Sequence, residues 1–215
     1  MSTSTHGGAT LPRTAVVGID VGGQRKGFHA VELSDRLLAS AASADPNEIV
    51  DWCLQRKAEV IAVDAPCRWS KTGGSRLAER QLGIGGAKIH CFATPTRAVA
   101  SRSRFYDWVF NGERLYERLA RHYVLFDGDR RKGPICFETF PHGIACALAG
   151  RVVPAKPKIA NRRAVLRGLR YEDRALRNVD FVDAALCAVA AEGFRLGRVM
   201  EFGDREEGFI VVPAS

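Results

Sequence analysis

The tightest constraint on this chain is an apolar strand that ends in a charge. Ala15–Val21 reads AVVGIDV, with Asp20 near its end and Gly22-Gly23 directly after it. A short apolar run closed by a turn signal is the pattern of a buried strand, and an unpaired carboxylate is costly to bury there. Glu59–Asp64 (EVIAVD) repeats the pattern, ending in Asp64 before Ala65-Pro66 stops it. It shows no polar alternation, as expected at the centre of a sheet covered on both faces. Pro134–Phe140 (PICFETF) is a further strong strand and carries Glu138.

Other elements group around these strands. Gly27–Leu33 (GFHAVEL) alternates and predicts the returning strand of a hairpin. Arg36–Ser40 is expected as a shorter third strand. Asp45, Pro46 and Glu48 together predict a helix start with a capping box. That helix runs to about Lys57 and is expected to bury Ile49, Val50, Cys53 and Leu54. Gly112–Tyr123 is amphipathic, with Leu115, Tyr116, Leu119 and Tyr123 on one side. Lys158–Leu169 predicts a basic helix, and Val179–Phe194 is the strongest helical pattern in the chain. Gly208–Val212 (GFIVV) is expected as a last edge strand. Three strands, helix, strand, helix, strand, helix is a mixed α/β order.

The chain has 215 residues, 46% of them hydrophobic, which suits one domain over residues 14–215. Residues 1–13 read as a disordered leader, with no apolar core of a signal peptide. No apolar run approaches the roughly 18 residues of a membrane span, so a cytoplasmic protein is the expectation. The six cysteines form no CxxC pair and read as reduced, packed side chains. Net charge is +8 but uneven: Pro66–Arg104 holds eight Lys or Arg and one acid, and Arg151–Arg177 holds nine against two acids. Each segment reads either as a solvated basic face or as the footprint of a polyanion. Residues 66–104 are also Gly-rich and irregular, and are expected to be partly mobile. Trp69, Phe92, Phe105, Tyr106 and Trp108 lie within or just beyond this segment, where they either stack on bases or are buried in the commoner way.

Each strand acid has a structural reading. Asp20 can cap a turn with Gly22, Asp64 can cap a helix after Pro66, and Glu138 can pair with an arginine. The last helix adds weight to a shared site. At about 100° per residue, Val179, Val182, Leu186, Val189 and Ala190 form one stripe, and Asp183 falls at its margin. Packed on the sheet, that helix can point Asp183 at the strand ends carrying Asp20 and Asp64. Asp180, one turn earlier, is either a further site acid or a first-turn acid favoured by the helix dipole. Converging carboxylates repel one another, and a divalent cation resolves that repulsion. An all-oxygen ligand set suits Mg²⁺ or Mn²⁺. Two such ions about 4 Å apart can drive phosphodiester hydrolysis, with the basic segments holding the phosphate backbone.

GIDVGG around Asp20, VDAP at Asp64, RLAERQLG at Arg76–Gly83, FATPTR at Phe92–Arg97, FETFPH at Glu138 and DFVDAALCAVAA from Asp180 resemble, in order and spacing, the motifs of domain of unknown function family 429. The similarity runs from about Val16 to Pro213. Members are described as predicted nucleases with an RNase H-like fold. The resemblance implies that fold, a mixed sheet flanked by helices, and a carboxylate site at Asp20, Asp64, Glu138 and Asp183. The DxxDA pattern from Asp180 is similar to the closing helix of Holliday-junction resolvases, which supports Asp180 as a further metal ligand. Lys156, Lys158, Arg162 and Arg163 resemble the family's basic stretch before the final helix. They have two readings, phosphate binding or a solvated helix face, and Arg76 and Arg80 have the same two.

The leading expectation is therefore a metal-dependent nuclease acting on nucleic acid. One alternative is phosphoryl transfer, since GIDVGG before a hairpin also resembles the phosphate loop of sugar kinases and actin-like ATPases. Another is a non-catalytic nucleic-acid-binding protein on the same fold. His29, His90, His122 and His142 are possible general bases, and no spacing singles one out.

Overall fold

The computed structural model describes residues 15–34, 37–130 and 133–214. The leader expected at residues 1–13, and Arg36 of the expected third strand, lie outside them. The run Ala15–Val21 forms β1, and all seven of its residues are buried. The chain turns at Gly22–Gly27 and returns antiparallel as β2 (Phe28–Ser34), which pairs in turn with β3 (Leu37–Ser43). Helix α1 (Pro46–Gln55) starts as its sequence predicts, with Asp45 accepting from the Asn47 amide at 2.9 Å. The capping box is displaced by one step: Glu48 accepts from Ser43 Oγ at 2.6 Å, and that oxygen accepts from the Asp45 amide. Ile49, Val50 and Cys53 are buried, but Leu54 is exposed, contrary to expectation. Strand β4 (Ala58–Asp64) then enters parallel to β1.

Residues 66–104 contain α2 (Leu77–Gln81), a minimal hairpin of β5 (Gly83–Ile84) and β6 (Ala87–Lys88), and α3 (Arg97–Ala100). The first part of this segment is tied to the C-terminal hairpin. The Lys71 amide, the Leu77 amide and Ser70 Oγ all donate to the carboxylate of Glu207, at 2.7, 3.2 and 3.2 Å. Those bonds hold the Glu207 carboxyl below its ordinary proton affinity. Next come α4 (Asp107–Leu119), β7 (Val124–Leu125), β8 (Ile135–Glu138), α5 (Pro141–Leu148), α6 (Lys158–Gly168), α7 (Val179–Arg195), β9 (Val199–Asp204) and β10 (Gly208–Pro213).

The main sheet has eight strands in the order β3-β2-β1-β4-β8-β10-β9, with β7 also paired to β8. The first three strands are antiparallel and β4 and β8 are parallel to β1. With helices on both faces, this is the RNase H-like arrangement that the resemblance implies. Two findings correct the reading of the C-terminus. Strand β10 is interior, pairing parallel with β8 and antiparallel with β9. The edge is β9, whose VMEFGD sequence is half-buried and shows little alternation. Helix α5 was also not foreseen: its eight residues include Gly143 and begin at Pro141, too short for a clear apolar period. Among the described residues no helix is long and apolar enough to cross a membrane.

Side-chain parity sorts the sheet into two cores. Val16, Val31, Val60, Ala62, Ile135 and Phe137 pack under α5, α6 and α7, while Val17, Ile19, Val21, Ile61, Val63 and Cys136 pack against α1 and α4. The α7 face is held unusually close at Gly18. A Cβ there would sit 2.0 Å from the Ala184 carbonyl oxygen and 2.1 Å from the Ala188 nitrogen. Gly18 therefore lets the helix backbone rest directly on β1. Gly18→Ala must lift α7 off the strand, so it is expected to destabilise the fold by about 3 kcal/mol or more. Urea denaturation of the purified variant checks this, and wild-type stability would refute it.

Candidate metal centre

Backbone register brings the first two acids together. Asp20 and Asp64 are paired positions on the neighbouring parallel strands β1 and β4, so both side chains leave the sheet on the same face. They share the face of Val16, Val60 and Ala62, the one covered by α7. With α7 resting on Gly18, Asp183 stands over the two strand ends. One oxygen from each of Asp20, Asp64 and Asp183 lies within 4.8 Å of the other two. A second grouping with the same spacing joins Asp20, His29 and Asp180. His29 is the β2 partner of Asp20 in the hairpin register.

These groups are poorly compensated. Asp20 and Asp183 are buried, and Asp64 and Asp180 are half-buried. Burial first, then the charges of Asp64, Asp183 and Asp180, pushes the Asp20 carboxyl well above the usual carboxylate range. Asp64 is pushed up in the same way, by burial and then by Asp183. Two cations on α6 offset part of this: Arg162 pairs with Asp183 Oδ1, and Lys158 Nζ stands 2.9 Å from Oδ2. The lysine does not lie along a hydrogen-bonding direction, and Asp183 Oδ2 is left buried without a hydrogen bond. Lys26, in the β1–β2 turn, reaches Asp180 at 3.1 Å. His29 Nδ1 is also buried without a partner, and burial holds the imidazole below its ordinary proton affinity. Its ring meets Phe181 edge-on at 4.8 Å.

The other expected site residues have different surroundings. Glu138 lines the same cleft and its charge helps to raise Asp64, but its oxygens are not in the close grouping of the three aspartates. It is the register partner of Val63 and shares the parity of Cys136, so it leaves β8 toward the opposite face. There Arg76 clamps it with two hydrogen bonds, at 2.8 and 2.5 Å, and the Cys67 amide donates to it at 2.8 Å. Arg76 is correspondingly not a surface phosphate contact. It is 1% exposed, and it also binds Glu79 through Nε at 2.9 Å. Arg80, one turn on, is exposed and donates to the Ser75 carbonyl. Arg162 is buried against Asp183 rather than free on a helix face, while Lys156 is exposed and Lys158 is half-exposed. Arg163 and Arg167 both bind the buried Asp173, but of the segment's cations only Arg162 is itself buried, and most stay on the surface.

His29 and Lys26 are the site residues that sequence reasoning did not single out. The signal for His29 was present: a hairpin whose turn spans Gly22–Gly27 sets it opposite Asp20. The expected strand boundaries contain that pairing without drawing it.

The profile of DUF429, described as a protein of unknown function, matches residues 18–208. The chain belongs to this family. No curated protein sequence matches it. In three dimensions the family member is similar to the RuvC structure from Thermus thermophilus, at 15% identity and a TM-score of 0.46, over 86% of this chain and 97% of that one.

Two predictions follow from the electrostatics. Asp20 and Asp64 bind protons more tightly folded than unfolded, where carboxyls ionise near pH 4. Their contribution to stability in chelator is therefore fully present below about pH 4 and is lost as pH rises to about 8. Asp64→Asn should flatten that slope and raise the melting temperature at pH 8, whereas an unchanged slope would show that Asp64 carries no such strain. Asp183→Asn should behave oppositely. It leaves the buried Arg162 without its carboxylate, at a cost of about 3–5 kcal/mol, and denaturant titration separates the two variants.

Proposed function

We propose that this DUF429 protein is a divalent-metal-dependent phosphodiesterase that cleaves nucleic acid. The observation that carries the reading is the convergence of Asp20, Asp64 and Asp183 with only Arg162 and Lys158 beside them and with Asp183 Oδ2 lacking a hydrogen bond. Burying three carboxylates this close is strongly unfavourable unless a cation completes the group. The donors are oxygens, which fits Mg²⁺ or Mn²⁺ better than a softer metal. Asp20, Asp64 and Asp183 would hold the ion, and Asp180, grouped with Asp20 and His29, would join if Lys26 lets go. A bound divalent ion would polarise a phosphoryl oxygen and lower the proton affinity of water.

The chain's own groups have defined tasks in such a reaction. Lys26 and Lys158 each touch an acid at the mouth of the cleft and are largely solvent-accessible. Each can swing from its carboxylate to a phosphate oxygen when charge enters the cleft. Arg162 stays buried and keeps Asp183 oriented. Neutral His29 can accept a proton at the unpartnered Nδ1, next to Asp20 and Asp180. Arg80 and Lys156 are exposed and free to meet the backbone further away.

The test is Mn²⁺-dependent cleavage of a panel of single-stranded, duplex and branched DNA and RNA. Asp20→Asn and Asp64→Asn should each lower the rate by 100-fold or more and remove the Mn²⁺-induced rise in melting temperature. If neither cleavage nor metal stabilisation is found over the panel, the reading fails. Salt-sensitive binding that needs no metal and survives Asp20→Asn would instead support the non-catalytic alternative.

A further inference from the structure

Of the five aromatic residues in and beside the first basic segment, three have structural employment. Trp69 donates to Glu113 at 2.8 Å and packs on Phe110, Trp108 packs against the α1–α4 core, and Tyr106 is half-buried. Phe92 and Phe105 do not fit that description. They are 66% and 52% exposed, yet they touch, with ring centroids 5.3 Å apart and planes at 70°. Tyr106 meets Phe105 edge-on at 5.0 Å. A single exposed phenylalanine is ordinary, but a contiguous exposed ring cluster beside a cleft marks a contact surface. Phe92 lines the same cleft as Asp20, Asp64 and Asp180.

The position of Phe92 is built from beneath. The Thr94 amide donates to both oxygens of Glu79, at 3.1 and 3.0 Å. Glu79 binds Arg76, and Arg76 binds Glu138 at the end of β8. This buried chain of ions ties the loop bearing Phe92 to the strand beside Asp64. Buried ion chains are costly, and this one fixes a loop whose apolar ring faces water. On the other side, Ser103 Oγ accepts from the Phe105 amide at 3.2 Å. The surroundings are basic: Arg102 and Arg104 are exposed on either side of Ser103.

We propose that Phe92 and Phe105 form a stacking platform for an unpaired base adjacent to the phosphate that enters the acidic cleft. This rests on the nucleic-acid reading above and narrows it. Bases in a continuous duplex have both faces covered, so the substrate class is a single strand or a locally opened duplex. Every base has a π face, so the platform contributes affinity without strong sequence preference.

The test is binding of fluorescent oligonucleotides in EDTA, where no cleavage occurs. Phe92→Ala should weaken binding of a single-stranded 20-mer about tenfold, the size expected for one lost base stack, and the Phe92→Ala/Phe105→Ala pair should weaken it further. A blunt duplex should bind nearly as before. Phe92→Trp should restore affinity, and Phe92→Leu, apolar but without a π face, should not. Both side chains are exposed, so circular dichroism melts should stay at wild-type values. The proposal is overturned if the double variant binds single strands normally, if duplex binding falls equally, if leucine rescues as well as tryptophan, or if the wild type binds no oligonucleotide. Stacking without cleavage would remove the nuclease reading and leave the platform, and cleavage without stacking would remove the platform alone.

Discussion

Helix α7 lying on Gly18 is the contact on which the rest of the site depends. Without a side chain at that point, the helix backbone comes within van der Waals reach of β1, and Asp183 is carried over the ends of two adjacent strands. The small residues Ala184 and Ala188 on the facing side of the helix serve the same approach. A helix displaced outward by even one methyl group would leave Asp183 too far from Asp20 and Asp64 to share a ligand with them. Core packing and site geometry are therefore one constraint here: the same close contact excludes water from the α7 face and crowds the acids.

The parts of the fold that could be read from sequence are those where local pattern and final environment agree. Apart from Asp20, Asp64 and the exposed Glu59, strands β1 and β4 are apolar because they are buried on both faces, and α7 shows its period because one stripe meets the sheet. Strand β9 and helix α5 were hidden for the opposite reason. The first is a half-exposed edge with little alternation, and the second is brief and glycine-interrupted. In the site, Asp20, Asp64 and Asp183 were legible because an acid in an apolar run is locally inconsistent. Glu138 carried the same inconsistency and resolved differently. In PICFETF, hydrophobic residues occupy both parities around it, so the sequence alone does not say which face it takes. Pairing with β4 decides that, and pairing is not local. Arg76 shows the same limit: its burial depends on a carboxylate 62 positions away.

Two classes of buried acid result, and their contrast is the strongest argument about chemistry. Glu138 and Glu79 are held by Arg76 with well-placed hydrogen bonds, and Glu207 is held by backbone amides and Ser70. In Glu207 those bonds stabilise the charge enough to hold its proton affinity below the ordinary value. Asp20 and Asp64 go the other way, because burial and mutual repulsion outweigh the pull of Lys158 on both and of Arg162 on Asp64. A fold that satisfies three buried glutamates so fully has the means to satisfy acids. Arg162 shows that those means extend to the site itself, where one oxygen of Asp183 is hydrogen-bonded while the other meets only the charge of Lys158. The residual imbalance is thus confined to one small volume at the ends of β1 and β4, next to a second unpartnered atom, His29 Nδ1. Selection for stability alone would replace Asp20 and Asp64, which burial and repulsion strain, with asparagine. On the function proposed above, a cation and then a phosphate would supply the missing charge.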